Sequence, residues 1–240
     1  MKKRTLETVT LLGIDCVDID RLVLAADICR ERFEFAEVKL LTSLPAQHHA
    51  NIIPISPLNS TEAYSHFTIA ELDRYVDTEH VMIIQYDGFI LNPDAWTDEF
   101  LTYDYIGAPW LVQDWSVKDF QFPKETLGTM IVGNGGFSLR SKKLISLCAR
   151  LSAENAFEEY QPEDVVLCVR KRKMLEDAGI RFAPVPLAKQ FSFESLTDEH
   201  DAWDGQFGFH GIRWTDISKW TNAHPEYKVD PKANTIKKIT

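Results

Sequence analysis

Four short stretches of this 240-residue sequence carry side chains whose types and spacing could do chemistry. Gln85-Tyr86-Asp87-Gly88 follows directly on the apolar run 81–84. A carboxylate at the end of a central strand is placed to hold a metal ion that bridges two phosphates, and hard oxygen ligands select Mg²⁺ or Mn²⁺. The same Asp-Gly pair also opens ordinary turns. Gly133-Asn134-Gly135-Gly136-Phe137-Ser138-Leu139-Arg140 has three glycines in its first four residues, so its backbone can approach a ligand closely. Asn134 and Ser138 could then hydrogen-bond sugar hydroxyls. A plain glycine-rich turn has the same composition. The stretch is neither a Walker loop nor a dinucleotide fingerprint, because no Gly-Lys-Ser/Thr follows and the glycine spacing differs. Glu163 and Asp164 follow Pro162 where a helix should begin. Acids there commonly just offset the helix dipole; the same dipole would favour an ionised carboxylate and keep a base ready near neutral pH. Phe207-Gly208-Phe209-His210-Gly211 sets a histidine between glycines. It reads either as a polar loop residue or as imidazole joining a carboxylate in a Mn²⁺ site.

The elements that must position these residues follow from hydrophobic spacing. Run 8–14 reads as a buried strand ending in Asp15. Asp18 can cap a helix with apolar positions Ile19, Leu22, Val23, Ala26, Cys29 and Phe33. Residues 38–41 give a second strand, closed by Thr42 and Ser43, and 52–55 a third, broken by Pro54. Ser60 or Thr61 opens a helix carrying Tyr64, Phe67, Leu72, Tyr75 and Val76. Run 81–84 is continuously apolar and suits a central parallel strand covered on both faces. Strands thus alternate with helices to residue 90, the pattern of an α/β sheet with mostly parallel strands. Ligands in such sheets gather at strand carboxyl ends. Further helices are expected over 141–151 and 162–178, the second stopped by Gly179, and a strand over 180–185. The expected organisation is one compact domain over 1–221, with halves at about 1–90 and 91–221, and a basic, loosely held tail over 222–240.

A hydrophobic fraction of 45% and a charged fraction of 26% fit a globular chain with a sizeable core and exclude one that is mostly disordered. No apolar run approaches the ~20 residues of a membrane helix. The basic start Lys2-Lys3-Arg4 is like a signal n-region, but Glu7, Asp15, Asp18 and Asp20 interrupt any apolar stretch after it. A cytoplasmic protein is expected; a piece of a longer secreted chain would read the same. The net charge of −10 argues against a nucleic-acid partner, which wants a basic face. An acidic chain that binds a diphosphate needs a local Lys/Arg cluster, helix N-termini or a bridging divalent cation. Cys16, Cys29, Cys148 and Cys168 form no CxxC pair and are expected as reduced thiols.

Taken in order, the four stretches resemble nucleotide-sugar glycosyltransferases of the GT-A fold. The likeness extends to the β-1,3-galactosyltransferase type, which has a comparable Gly-rich segment ahead of a Glu-Asp-Val. Asp104-Tyr105-Ile106-Gly107-Ala108-Pro109-Trp110, the stretch 134–140 and Pro162-Glu163-Asp164-Val165 more closely resemble a family of bacterial and fungal proteins. That family is described as a domain of unknown function and thought to be glycosyltransferase-like. The likeness spans roughly residues 8–211. It implies a GT-A-like, Rossmann-like mixed sheet, mostly parallel and flanked by helices. The first half would bind nucleotide and the second acceptor. The implied activity is hexosyl transfer from a nucleotide-sugar, with UDP the commonest nucleotide at such sites. The expected acceptor is a glycan or glycolipid hydroxyl, as in polysaccharide biosynthesis.

The resemblance also implies roles for individual residues. Asp87 matches the last acid of an Asp-x-Asp metal motif and His210 the late metal-binding histidine, with Mn²⁺ or Mg²⁺ as cofactor. Gln85 stands where the motif has its first acid, and would hydrogen-bond a ribose. Asp164 matches the general base of inverting members, and Glu163 would bind acceptor or support the loop. Asn134, Gly135 and Gly136 match the segment beneath the donor sugar. Asp15 and Thr42 stand where uracil and ribose usually sit, and Arg140 and Lys189 would help the leaving diphosphate. The implied reaction is a single displacement with inversion. A retaining enzyme, a metal-dependent nucleotidyltransferase or phosphohydrolase, and a non-catalytic glycan- or nucleotide-binding module are the alternatives, the last suggested by Gln85.

Overall fold

The computed structural model describes residues 3–45, 51–194 and 201–239. Strands β1 (Arg4–Ile14), β2 (Phe33–Thr42), β3 (Ile52–Pro54) and β4 (His80–Ile84) run parallel. Strand β5 (Tyr105–Gly107) joins the same sheet, whereas β6 (Pro109–Leu111) and β7 (Met130–Val132) form a separate antiparallel pair. Strand β8 (Ser138–Ser141) is antiparallel to both of its neighbours. The order across the six-stranded sheet is β3-β2-β1-β4-β8-β5. The expected mixed, mostly parallel α/β sheet is therefore present.

Alternation along the strands builds a core on each face of the sheet. Leu11, Met82 and Ile84 face one side with Leu22, Ala26 and Cys29 of helix α1 (Ile19–Arg32). Leu12, Ile14, Val81 and Ile83 face the other, with Phe67 of helix α2 (Thr61–Ala70) and Ile145. All five residues of β4 are buried, as its continuous apolar character requires. Asp18 caps α1 by accepting from the Asp20 N–H, and Ser60 caps α2 by accepting from the Ala63 N–H at 3.0 Å. After helix α3 (Asp114–Phe120), helix α4 (Lys142–Ala153) begins at Ser141, whose hydroxyl accepts from the Leu144 N–H.

Four expectations change. The helix expected over 162–178 is broken into a turn at Glu163–Val165, a π-turn at Val166–Arg170 and a short helix at Arg172–Asp177. Gly179 does end it, at φ +85°. The strand expected over 180–185 is reduced to one bridge, Tyr105 to Phe182, because Val185 already opens the next helix. Leu72 and Tyr75 lie on a 3₁₀ turn after α2 rather than on it. Residues 222–240, expected as a loosely held tail, contain an antiparallel hairpin of Tyr227–Asp230 with Thr235–Lys238. Tyr227 and Ile236 bury into the main core, and this burial holds the hairpin down. The four cysteines are free thiols. Among the described residues, no helix is long and apolar enough to cross a membrane.

Candidate functional site

The parallel strands β1, β2 and β4 end at one edge of the sheet, on Asp15, Thr42 and Gln85. Antiparallel β8 starts at that edge, since Ser138 pairs with Ile83 and Gly107. The Gly-rich stretch before β8 is thereby delivered beside the end of β4. The crevice outside such an edge, where strand order reverses about β1 and β4, is where open α/β sheets bind ligands.

The late His210 segment is stitched to the same place. Gly211 N–H donates to the Asp87 carbonyl at 2.8 Å and His210 N–H to the Phe193 carbonyl at 2.9 Å. The imidazole then lies among acids and amides. His210 Nδ1 is 2.8 Å from Glu194 Oε1 and 3.1 Å from Asn134 Nδ2. Nε2 is 3.1 Å from Gln85 Oε1 and 3.6 Å from Asp87 Oδ1. Burial opposes the charged ring, but Asp87 and Glu194 outweigh it and push His210 up to about 9. Burial likewise opposes the Glu194 carboxylate, which the His210 hydrogen bond and charge hold below the usual range. Gly136 is required beneath the ring: a Cβ there would come 2.1 Å from Nε2. Asn134 sits at φ +64°, a conformation that asparagine tolerates. Its side-chain oxygen accepts from the Phe137 N–H at 3.1 Å.

One residue further on, the Gly135 N–H donates to Asp164 Oδ2 at 3.0 Å. The Asn134–Gly135 pair therefore ties the His210 group to the Asp164 carboxylate. Glu163 is buried and accepts from Arg140 at 3.1 Å, while the Arg140 guanidinium lies over the Tyr105 ring and is 1% exposed. A Cβ on Gly135 would strike Glu163 Oε1 at 1.9 Å. Burial first, and the Glu163 charge second, raise Asp164 to about 7. This reverses the sequence expectation, in which the helix dipole favours the ionised form. That expectation rests on the helix dipole alone; here burial and the Glu163 charge outweigh it. The charge of Arg140 is committed to Glu163 beneath the site, not offered to a diphosphate, and the Glu163–Arg140 pair supports the Gly-rich loop.

Asp15 and Thr42 reach the right edge with their groups already used. Asp15 accepts from the Val17 and Asp18 N–H groups and from Arg21 at 2.6 and 3.2 Å. The Thr42 hydroxyl accepts from the Leu44 N–H and is fully buried. Gln85 bridges two partners: its amide donates to the Tyr64 hydroxyl at 3.1 Å while its oxygen faces His210.

The model of a family described as "Protein of unknown function (DUF5672)" matches residues 47–210, about two thirds of the chain. The chain belongs to that family. The matched segment of this DUF5672 chain contains Gln85, Asp87, the Gly-rich stretch, Glu163, Asp164, Glu194 and His210. No curated protein matches. Among solved structures, the chain is similar to a galactosyltransferase LgtC in complex with donor and acceptor sugar analogues. That likeness has 15% identity and a TM-score of 0.48, over 90% of this chain and 93% of the other. A structure of an LgtC active-site mutant gives 15% identity and a TM-score of 0.44 over 84% and 86%. A putative glucose-1-phosphate thymidylyltransferase from Bacillus anthracis, in complex with a sucrose, gives 12% and 0.40 over 79% and 98%. Likeness at these scores says nothing of activity or substrate.

Sequence reasoning misses two members of the DUF5672 site. Glu194 carries no motif; it accepts from His210 and, at 2.8 Å, from Trp110 Nε1. Asn234 donates to Asp87 Oδ2 at 2.9 Å and to the Tyr86 hydroxyl at 2.7 Å. A hairpin signal for Asn234 was legible in alternating Tyr227-Lys228-Val229-Asp230 and Thr235-Ile236-Lys237-Lys238 around a Pro-containing turn. As for a divalent cation, Asp87 Oδ1 is buried without a hydrogen-bond partner, and with His210 Nε2 and Gln85 Oε1 it makes a mixed O/N donor set that suits Mn²⁺ or Mg²⁺. Among the described residues, no three His, Cys, Asp or Glu side chains are grouped to hold a metal. The remaining donors in such a set are therefore amides.

Proposed function

We propose that this chain is a glycosyltransferase that moves a hexosyl group from a nucleotide-sugar, a UDP-sugar in the first instance, to an acceptor hydroxyl with inversion. The observation that carries the reading is the Asn134–Gly135 pair. It holds, within two residues, both the His210–Asp87 group and the raised Asp164 carboxylate. A diphosphate at the first and an acceptor hydroxyl at the second would lie on either side of a sugar resting on Gly135 and Gly136. Asp87, His210 and Gln85 would hold the divalent cation, whose chemistry is to offset the charge of the departing diphosphate.

Asp164 does the proton transfer. Its carboxylate takes the acceptor hydroxyl proton as the acceptor oxygen bonds to the anomeric carbon. The bond from that carbon to the diphosphate oxygen breaks, and the electron pair leaves on the nucleotide. A base raised to about 7 is matched to work near neutral pH. Glu163 and Arg140 position Asp164 and do not touch substrate. A glycan or glycolipid acceptor and a cytoplasmic location belong to the same reading. A second reading, a non-catalytic nucleotide- or glycan-binding module, is favoured by Gln85, whose amide is spent on Tyr64 and His210.

The test is calorimetric titration of UDP with Mn²⁺ and then with excess chelator, on wild type and Asp87→Ala, followed by a donor screen. Cation-dependent binding lost in Asp87→Ala, with sugar transfer from a UDP-sugar, supports the transferase. Binding without any transfer leaves the binding module. Failure of every nucleoside diphosphate to bind overturns both nucleotide readings.

A further inference from the structure

The carboxyl-terminal hairpin lies outside the segment 47–210 that matches the family model. Its base is fixed to the body. The Tyr227 hydroxyl donates to Glu31 Oε1 on α1 at 2.8 Å, the Tyr227 ring stacks on Trp220, and Ile236 is buried. Its turn is thereby carried over the end of β4, where Asn234 sits at φ +51°. The Asn234 amide donates to Asp87 Oδ2 and to the Tyr86 hydroxyl, and the Tyr86 ring lies under the Arg21 guanidinium at 3.6 Å. The hairpin is thus held at the Asp87 carboxylate.

Two atoms in this contact are unusual. Asp87 Oδ1 and Asn234 Oδ1 are both buried and neither has a hydrogen-bond partner. A buried acceptor without a donor is costly, and here two of them belong to side chains already bonded to each other. Both are hard oxygens, and Asp87 Oδ1 lies 3.6 Å from His210 Nε2. A divalent cation can satisfy such oxygens, and asparagine carbonyls are ordinary ligands of divalent ones. An amide can also present either its nitrogen or its oxygen by a half-turn about its last bond. With nitrogen toward Asp87, Asn234 satisfies the bare carboxylate.

We propose that Asn234, carried by the carboxyl-terminal hairpin, is a ligand of the divalent cation held by Asp87 and His210, supplying through its amide oxygen a donor that the rest of the site lacks. This rests on the reading that Asp87 and His210 hold such a cation. Asn234 then makes the hairpin part of the binding site, and cation occupancy tightens it.

Mn²⁺ titration of the full chain by calorimetry, without nucleotide, tests the idea in wild type, Asn234→Gly and Asn234→Asp. Glycine and aspartate both tolerate a positive φ, so neither substitution adds the backbone strain that alanine would. The expected result is Mn²⁺ binding weakened about tenfold in Asn234→Gly and strengthened about tenfold in Asn234→Asp, the direction set by ligand number and charge. Equal affinity in all three, or tighter binding in Asn234→Gly, overturns the proposal; the latter would make the hairpin a plug. Absence of Mn²⁺ and Mg²⁺ binding in wild type overturns this proposal together with the cation reading of Asp87 and His210. Hydrogen exchange of wild type needs no variant: Mn²⁺ should slow exchange of the amides around Asn234, and unchanged exchange in a chain that does bind Mn²⁺ counts against ligation.

Discussion

Asp15 and Asp87 end neighbouring strands of one sheet, at the same edge, and use the same side chain in opposite ways. Asp15 accepts from two backbone N–H groups and from both arms of an Arg21 fork. Nothing is left over; it fixes the entry to α1. Asp87 accepts from Asn234 on one oxygen and keeps the other buried and bare. The adjacent pair Glu163 and Asp164 repeats the contrast. Glu163 is neutralised by Arg140, whereas Asp164 has no cation and two backbone donors, and is raised to about 7. A carboxylate whose partners are complete builds structure, and one left incomplete by an otherwise satisfied surrounding is available for chemistry.

The sharpest way to break this contrast is at Asp164. Asp164→Asn keeps the shape and most acceptor capacity but cannot take a proton. Transfer should fall about 10²–10⁴-fold, with UDP affinity and fold unchanged by calorimetry and circular dichroism. Retained transfer would remove Asp164 as the base. Next in size is the complete pair. Arg140→Met leaves Glu163 buried and uncompensated, and should cost about 3–5 kcal/mol in denaturant unfolding. Adding Glu163→Gln should restore most of it, because the loss comes from the stranded charge and not from the missing guanidinium. If the double variant is no more stable than the single one, the pair does more than neutralise itself.

The two aspartates at the sheet edge separate the contrast into binding and stability. Asp87→Asn should weaken Mn²⁺-dependent UDP binding about tenfold or more while moving the melting point little. Asp15→Asn should leave that binding alone and cost about 1–3 kcal/mol, since Arg21 can turn part of its charge to solvent. A swap of these outcomes would show that partner saturation does not sort structural from functional carboxylates here.

The sheet and the edge on which the site sits were legible because apolar runs such as 81–84 report burial on both faces whatever the rest of the chain does. Asp18 and Ser60 as helix starts were legible for the same local reason: a cap is a contact within three residues. What was not legible depended on distant partners. Arg140 looked like a free cation, yet its partner lies 23 residues on. Gln85 looked like a lost acid, yet it bridges Tyr64 and His210, 21 and 125 residues away along the chain. Glu194 has no local signature, since its place is set by long-range bonds to His210 and Trp110; the hairpin of Asn234 had a local signal, but its bonds to Asp87 and Tyr86 did not. The helix expected from Pro162 failed where chain tracing meets packing: the π-turn at Val166–Arg170 aims Val166, Leu167 and Cys168 into the core.

The smallest expected effect, and the most discriminating, is the pH dependence of Asp164. Its pKa is raised in the fold, so its protonated form stabilises the protein. That contribution is complete below the usual aspartate value near 4 and is lost as pH rises through about 7. Activity runs the other way, since only the ionised form can take a proton: kcat/KM should rise with pH and level off above about 7. One titration thus has opposite signs in two measurements. Asp164→Asn should flatten the stability profile between pH 5 and 8 and gain most over wild type at the upper end. The Arg140→Met, Glu163→Gln double variant keeps Asp164 but removes the neighbouring charge that raises it, so both midpoints should move to lower pH together. If only the activity midpoint moves, the group that governs the rate is not Asp164. If neither moves, burial alone sets its pKa, and the contrast between the two adjacent carboxylates is one of solvation and not of their mutual charge.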